Sequence, residues 1–414
     1  MTDAVRRAID AVWRIESAKL IAALARITGD VGIAEDLAQD ALLAALEQWP
    51  ESGVPQNPGA WLMSVAKRRA IDQMRHASLA DRKHEEIGRD LDDRPGDDPD
   101  AALDDQIGDD LLRLVFTACH PVLPTEARVA LTLRLLGGLT TGEIARAFLA
   151  TAPAIAQRIV RAKKTLADAK VPFEVPRNAE LTARLDSVLE VIYLIFNEGY
   201  SATAGDDWTR PALCEDALRL GRILAELMPE EPEVHGLVAL MEIQASRLAA
   251  RTGPAGEAIL LFDQNRARWD QLLIRRGLAA LERAETIGRP AQKYVLQAEI
   301  AACHARARTN EETDWGRIVA MYSALAALER SPVVELNRAV AISMASGPGA
   351  GLAAVDAIAG EASLKNYHLL PAVRGDFLAK LGRTDEARAE FERAASLAQN
   401  ARERELLLNR ARSR

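Results

Sequence analysis

Residues 140–166, TTGEIARAFLATAPAIAQRIVRAKKTL, leave the chain little freedom, because they fit only two short helices joined by a tight turn. Thr140 followed three residues later by Glu143 is a capping box, so a helix starts there. Ile144, Ala145 and Phe148 turn its apolar side inward, and Ala150-Thr151 before Pro153 breaks it. In the second helix Ile155, Ile159, Ala162 and Leu166 recur at helical spacing and form one packing face. The other side then carries Gln157, Val160, Arg161 and Lys164, with Arg158 and Lys163 on the flanks. Glutamine pairs with an adenine edge, arginine with a guanine edge and lysine with phosphate, so such a helix suits a DNA major groove. A solvated basic face on an ordinary bundle helix is the plainer alternative.

The chain has 414 residues, enough for two or three domains with their own cores. Few aromatics and no alternating β-branched runs point to an all-α protein. A formal net charge of −8 excludes a simple DNA coat, so DNA binding must rest on local basic patches. Cys119, Cys214 and Cys303 lack zinc spacing and fit free thiols in a reducing cytoplasm. Cys119 and His120 are adjacent and read as structural. The first residues read as a helix and no apolar run is long enough to span a membrane, so a cytoplasmic protein without a membrane partner is expected.

From the N-terminus, residues 4–28 read as a helix ending at Thr28-Gly29-Asp30. Asp30 would cap a second helix that stops at Trp49-Pro50, with Glu35, Asp36, Gln39 and Asp40 as an acidic surface near its start. Favourable charge against the helix dipole accounts for that surface equally well. Asn57 and Pro58 begin a third helix, whose run mixes Trp61, Leu62, Val65 and Ile71 with Lys67, Arg68, Arg69 and Arg75 and leaves no clean polar side. Basic residues interleaved with an aromatic suit a melted or single-stranded nucleic acid. The aspartate-rich stretch that follows reads as a flexible linker that repels DNA, and two further helices broken around His120-Pro121 lead into the opening motif.

In this order, DLAQD, WLMSVAKRRAIDQMRH, an acidic linker, LPTEARVAL, EIARAF and AQRIVRAK closely resemble the extracytoplasmic-function sigma factors of bacterial RNA polymerase over roughly residues 10–170. The resemblance implies that Asp36, Leu37, Gln39 and Asp40 dock on the polymerase core. It implies that Trp61, Lys67, Arg68, Arg69, Asp72 and Arg75 open and hold the −10 element, and that Gln157, Arg158, Arg161, Lys163 and Lys164 serve the −35 element. Arg68 stands where many members carry asparagine.

Beyond Leu181 helical segments follow one another. FLAKLGRTDEARAEFERAASLAQN, with Gly382 at a turn and Ala387, Phe391 and Ala394 after it, looks like a tetratricopeptide unit. NRAVAISMASGPGAGLAAVDAI precedes it at about the 34-residue period, which predicts an α-solenoid. FNEGY, FDQNRARWD, TDW and SPVVELNRAVA resemble the sigma-factor subgroup with a large tetratricopeptide-like C-terminal extension, in which the extension regulates activity. Gln264-Asn265-Arg266 replaces that subgroup's usual Gln-Asp-Arg.

Asn197, Glu198, Asp263, Arg266, Trp269, Asp314 and Trp315 would form a polar cluster if the solenoid gathers them, though such residues more often cap helices and tie repeats together. No phosphate loop, metal-spaced cluster or cofactor motif is visible, so no enzyme and no cofactor are expected. The expected architecture is a polymerase-docking and −10 domain at 1–78, an acidic linker at 79–105, a −35 helix-turn-helix domain at 106–170 and a helical regulatory domain at 178–414. Its partners would be RNA polymerase core, promoter DNA and a regulatory protein or small ligand at the C-terminal domain. A one-component DNA-binding regulator would explain the reader and a sensor but leave residues 30–76 without a purpose, and an adaptor scaffold would not need the basic helix.

Overall fold

The computed structural model describes residues 3–81, 99–148, 150–202, 208–254, 257–288 and 292–412. Among them the chain is all α, with no strand beyond one isolated bridge between Thr252 and Ala258. It divides into two compact units, Met1–Ile192 and Tyr193–Arg414. No helix among the described residues is long and apolar enough to cross a membrane.

The first unit contains α1 (Asp3–Thr28), α2 (Val31–Ser52), α3 (Pro58–Asp81), α4 (Pro99–Ala118), α5 (Thr125–Leu135), α6 (Thr141–Ala147), α7 (Ala152–Asp168) and the first part of α8 (Asn178–Tyr200). Leu20, Leu24, Trp49, Leu62, Leu114 and Phe116 fill its core. Asp30 caps α2 by accepting from the N–H groups of Gly32 at 2.6 Å and Ile33 at 3.0 Å. Asn57 accepts from Ala60 N–H at 3.0 Å, with Pro58 in the first position of α3 as its sequence requires.

Two boundaries differ from the sequence expectation. The second helix does not stop at Trp49-Pro50 but reaches Ser52, and Gly53 at φ +80° closes it with its N–H on Trp49 C=O at 2.9 Å. A proline so near the end removes one N–H from a turn that a C-cap then completes. Helix also enters the expected 79–105 linker from both sides, α3 to Asp81 and α4 from Pro99. Proline in the first position followed by aspartates is a helix start, which the acidic composition had masked. Residues 82–98 of that linker lie outside the described residues.

The second unit holds α9 (Pro211–Leu227), α10 (Pro232–Ala245), the short α11 (Leu248–Arg251), α12 (Gln271–Thr286), α13 (Lys293–Arg306), α14 (Trp315–Leu328), α15 (Pro332–Ser346), α16 (Pro348–Ile358), α17 (Leu369–Lys380), α18 (Thr384–Leu397) and α19 (Ala401–Arg412). From α14 to α19 each helix packs chiefly on its neighbours in sequence, whereas α13 packs chiefly on α10. Leu336, Val355, Phe377, Leu378, Ala387 and Phe391 form the core of the last helices. Gly351 permits the approach of α16 to α15, since a Cβ there would stand 2.5 Å from the Ser343 Cβ. Gly382, at φ +76°, makes the α17 to α18 turn.

Candidate nucleic-acid interface

The reader motif folds as its pattern dictates. Thr140 Oγ1 accepts from Glu143 N–H at 3.2 Å while the Glu143 carboxylate accepts from Thr140 N–H at 2.8 Å, completing the capping box. Burial pushes the Glu143 carboxyl up, but these hydrogen bonds and Arg14, 2.8 Å away, outweigh it and hold the pKa below the ordinary carboxylate range. Thr151 caps α7, accepting from Ala154 N–H at 3.3 Å. Ile155, Ile159, Ala162 and Leu166 are the buried residues of α7. Gln157, Arg161 and Lys164 are exposed, together with Val160 at 61%. Arg158 is partly covered and lies 3.5 Å from Glu126.

Lys163 has a different setting from its neighbours. Its Nζ lies 2.9 Å from Glu35 and 3.5 Å from Asp36, both on α2. Arg134 of α5 donates to the same Glu35 carboxylate at 2.6 Å, and Gln39 donates to it at 2.6 Å. Glu35 is only 3% exposed, so it is not part of an acidic surface as its sequence position suggested. Burial alone would raise its pKa, yet Lys163 and Arg134 together hold it below the ordinary value. A second seam joins α1 to α4, where buried Asp110 receives Arg26 and Arg113, each at 2.7 Å.

Of the four docking candidates, Asp36 and Asp40 are exposed and Gln39 is half-buried, whereas Leu37 is buried in the core. Asp40 faces Arg69 of α3 at 3.4 Å. Along α3, Trp61 is half-buried with its ring edge-on to Trp49, 5.3 Å between centroids at 67°. Arg68 and Asp72 are exposed, and Arg68 donates to Ser64 Oγ at 3.0 Å. Lys67 and Arg68 line a cavity of about 650 Å³ against Glu16 and Lys19 of α1. The Arg75 side chain lies outside the described residues.

The C-terminal polar residues do not form one site. Arg266, Trp269 and Trp315 do meet around His304. Arg266 donates to the carbonyls of His304 at 2.7 Å and Ala307 at 2.6 Å, its guanidinium lies 5.0 Å from the Trp269 ring, and Trp315 packs on the His304 ring at 5.2 Å. Asp314 caps α14 by accepting from Arg317 N–H at 2.9 Å, and Glu198 pairs with Arg210. Asn197 and Asp263 line separate cavities. No group of three or more His, Cys, Asp or Glu that could hold a metal ion occurs among the described residues. Sequence reasoning missed Glu35 as a tether, and it missed buried Arg247 and His304. No local signal distinguishes these from surface residues, because their burial comes from helices remote in sequence.

Three family models match the chain. Residues 15–79 match sigma-70 region 2, residues 113–166 match sigma-70 region 4, and residues 184–285 match a family of unknown function, DUF6596. The chain is 44% identical over 382 residues to the uncharacterized protein R00370 of Rhizobium meliloti, covering 92% of this chain and 90% of that one. It is 27% identical over 198 residues to the probable ECF RNA polymerase sigma factor SigI of Mycobacterium tuberculosis, covering 44% of this chain and 67% of that one. No solved structure matches. The matched regions coincide with the acidic α2, the basic-aromatic α3 and the capped reader of α6 and α7, so the chain belongs to one family with the Rhizobium meliloti protein and is a sigma factor of the sigma-70 type.

Proposed function

We propose that the chain is an extracytoplasmic-function sigma factor of the subgroup with a tetratricopeptide-like extension, acting in the cytoplasm without covalent chemistry of its own. It binds RNA polymerase core through Asp36, Gln39 and Asp40 on α2. Trp61, Lys67, Arg68, Arg69 and Asp72 on α3 hold the −10 strand, and the cavity lined by Lys67 and Arg68 suits an unstacked base. Gln157, Arg158, Arg161 and Lys164 on α7 read the −35 element. The observation that carries this reading is the exposed basic face of α7, opposite four buried apolar residues, in a chain that also carries region 2.

The two DNA-reading halves are held together in the free protein. The −10 and −35 elements lie about 25 base pairs apart, roughly 85 Å along DNA at about 3.4 Å per base pair. A compact body of 192 residues has a radius of gyration of about 16 Å, too small to span them. The Glu35, Arg134 and Lys163 seam therefore opens before both elements are engaged, releasing Lys163 for phosphate and Asp36 for core. The C-terminal unit regulates this opening, and removing everything after Ala169 tests that role by its effect on promoter activity and polymerase affinity.

The test is transcription in vitro with core RNA polymerase and a promoter library, comparing the intact chain with Asp36→Ala and Asp40→Ala. Promoter-dependent transcripts that weaken in both variants are expected. Specific DNA binding without core and without any transcript would overturn the reading in favour of a one-component regulator. Labels at exposed Glu47 and Asp168 should separate by on the order of tens of ångström when core and promoter are added.

A further inference from the structure

The second unit contains a cavity of about 430 Å³ walled by α8, α10, α13, α14 and α15. That volume falls in the range of small-molecule sites. Its walls carry Asn197, Gln244, Arg247, Gln297, His304 and Tyr322 among apolar residues.

Arg247 is the unusual member. It is 6% exposed, and no carboxylate pairs with it among the described residues. Its guanidinium has five N–H donors, of which Nη2 reaches Ala301 C=O at 3.3 Å, while Nε has no hydrogen-bond partner. Its carbon lies 4.9 Å from the Trp269 ring. Burial pulls its pKa below the usual arginine value, although the hydrogen-bonded Tyr200 works against that and outweighs the like-charge repulsion from Arg251. A buried cation without a counter-charge is costly, and proteins keep one where something absent from the free chain completes it.

The rest of the wall defines that missing group. His304 is 7% exposed, with Nδ1 lacking a hydrogen-bond partner. Burial, then Arg247 and Arg266, lower its pKa to about 3, so it stays neutral and offers one donor and one acceptor. Burial raises the Tyr322 hydroxyl to about 12, which keeps it a donor. Lys293 and Glu329 also line the cavity and face each other at 3.4 Å, so this one cation and one carboxylate of the wall offset each other and leave Arg247 as the charge without a counterpart. One uncompensated cation surrounded by amides, a hydroxyl and a neutral imidazole matches a single negative charge on a polar organic molecule better than a phosphate of higher charge.

We propose that the C-terminal unit binds a small organic carboxylate, its carboxylate on Arg247 and its remaining polar groups on Gln244, Gln297, His304 and Tyr322. That such binding regulates transcription rests on the sigma-factor reading above, whereas the binding itself does not.

The experiment titrates the full-length chain with acetate, L-lactate, L-glutamate and inorganic phosphate in low-chloride buffer, reading thermal midpoint and tryptophan emission. Trp269, stacked on Arg247, is the expected reporter. At least one carboxylate should bind saturably and raise the midpoint. Its affinity should fall at least tenfold in Arg247→Gln and also in Gln297→Glu, which adds a like charge to the wall while leaving Arg247 in position. Circular dichroism checks that each variant is folded. Binding by none of the carboxylates, by phosphate alone, or equally by wild type and Gln297→Glu overturns the proposal. Promoter-dependent transcription is scored on the same preparations, so failure of the binding and failure of the sigma reading appear as separate results.

Discussion

Buried carboxylates are paired in both units, Glu242 with Arg222 and Glu299 with Arg317 in the second, and the units part ways at one buried cation. In the first, Glu35 meets Arg134 and Lys163, and Asp110 meets Arg26 and Arg113, so each buried carboxylate has two cations. In the second, Arg247 has none of the opposite sign within reach among the described residues and His304 is kept neutral beside it. Paired charges tie together segments that are far apart in sequence. An unpaired one signals a partner that comes from outside the chain.

The comparison breaks most sharply at Glu35. Glu35→Gln leaves two partly buried cations facing a neutral amide and should destabilise the first unit by about 3–5 kcal/mol, read as a lower thermal midpoint in calorimetry. If the seam is also a catch, the surviving folded fraction should bind −35 DNA more tightly than wild type. Next in size, Arg161→Ala should relax preference at one −35 position by about 1–3 kcal/mol if its contact is bidentate. A uniform loss across all sequences would identify a phosphate contact instead.

Acid should separate the units. His304 has a folded pKa of about 3, below its unfolded value of about 6.5, so the folded state binds fewer protons throughout that window. The second unit should therefore lose stability as pH falls below about 6.5, by about 1.4 kcal/mol per pH unit, and His304→Gln should flatten the slope. Glu35, whose folded pKa is also depressed, stabilises above its unfolded value of about 4.3 and loses that contribution only as pH falls further. Burial and then Arg184 also lower the pKa of half-buried His120 in the first unit, so the comparison is made in His120→Gln: calorimetry between pH 7 and 5 should then move the second unit's transition first, and simultaneous movement of both would remove the distinction. The smallest effect expected is from Thr151→Ala, which removes the α7 cap and should cost about 1 kcal/mol, measured by denaturant unfolding.

Local rules made much of the first unit legible. The α7 stripe, the Thr140 and Glu143 capping box and the Asn57-Pro58 start each depend on residues within a turn or two of one another, and each folds as its spacing predicts. Glu35 was not legible, because its partners lie 99 and 128 residues away and its wheel position is that of a surface acid. The α4 start was hidden by its acidic composition. In the second unit the motifs of the tail place helices but not their faces. Thus Arg266, Trp269 and Trp315 come together while Glu198 and Asp314 serve local pairing and capping, and Arg247, just past the end of α10, looks in sequence like any surface arginine.

The Trp49 and Trp61 rings, edge to face at 5.3 Å, give α3, proposed above to hold the −10 strand, an optical signature of its own. Two indoles that close and fixed couple their electronic transitions, so their near-ultraviolet dichroism depends on the angle between them. Any strand that draws Trp61 away from Trp49 should bleach that signal, which lets promoter melting be timed in the unlabelled protein.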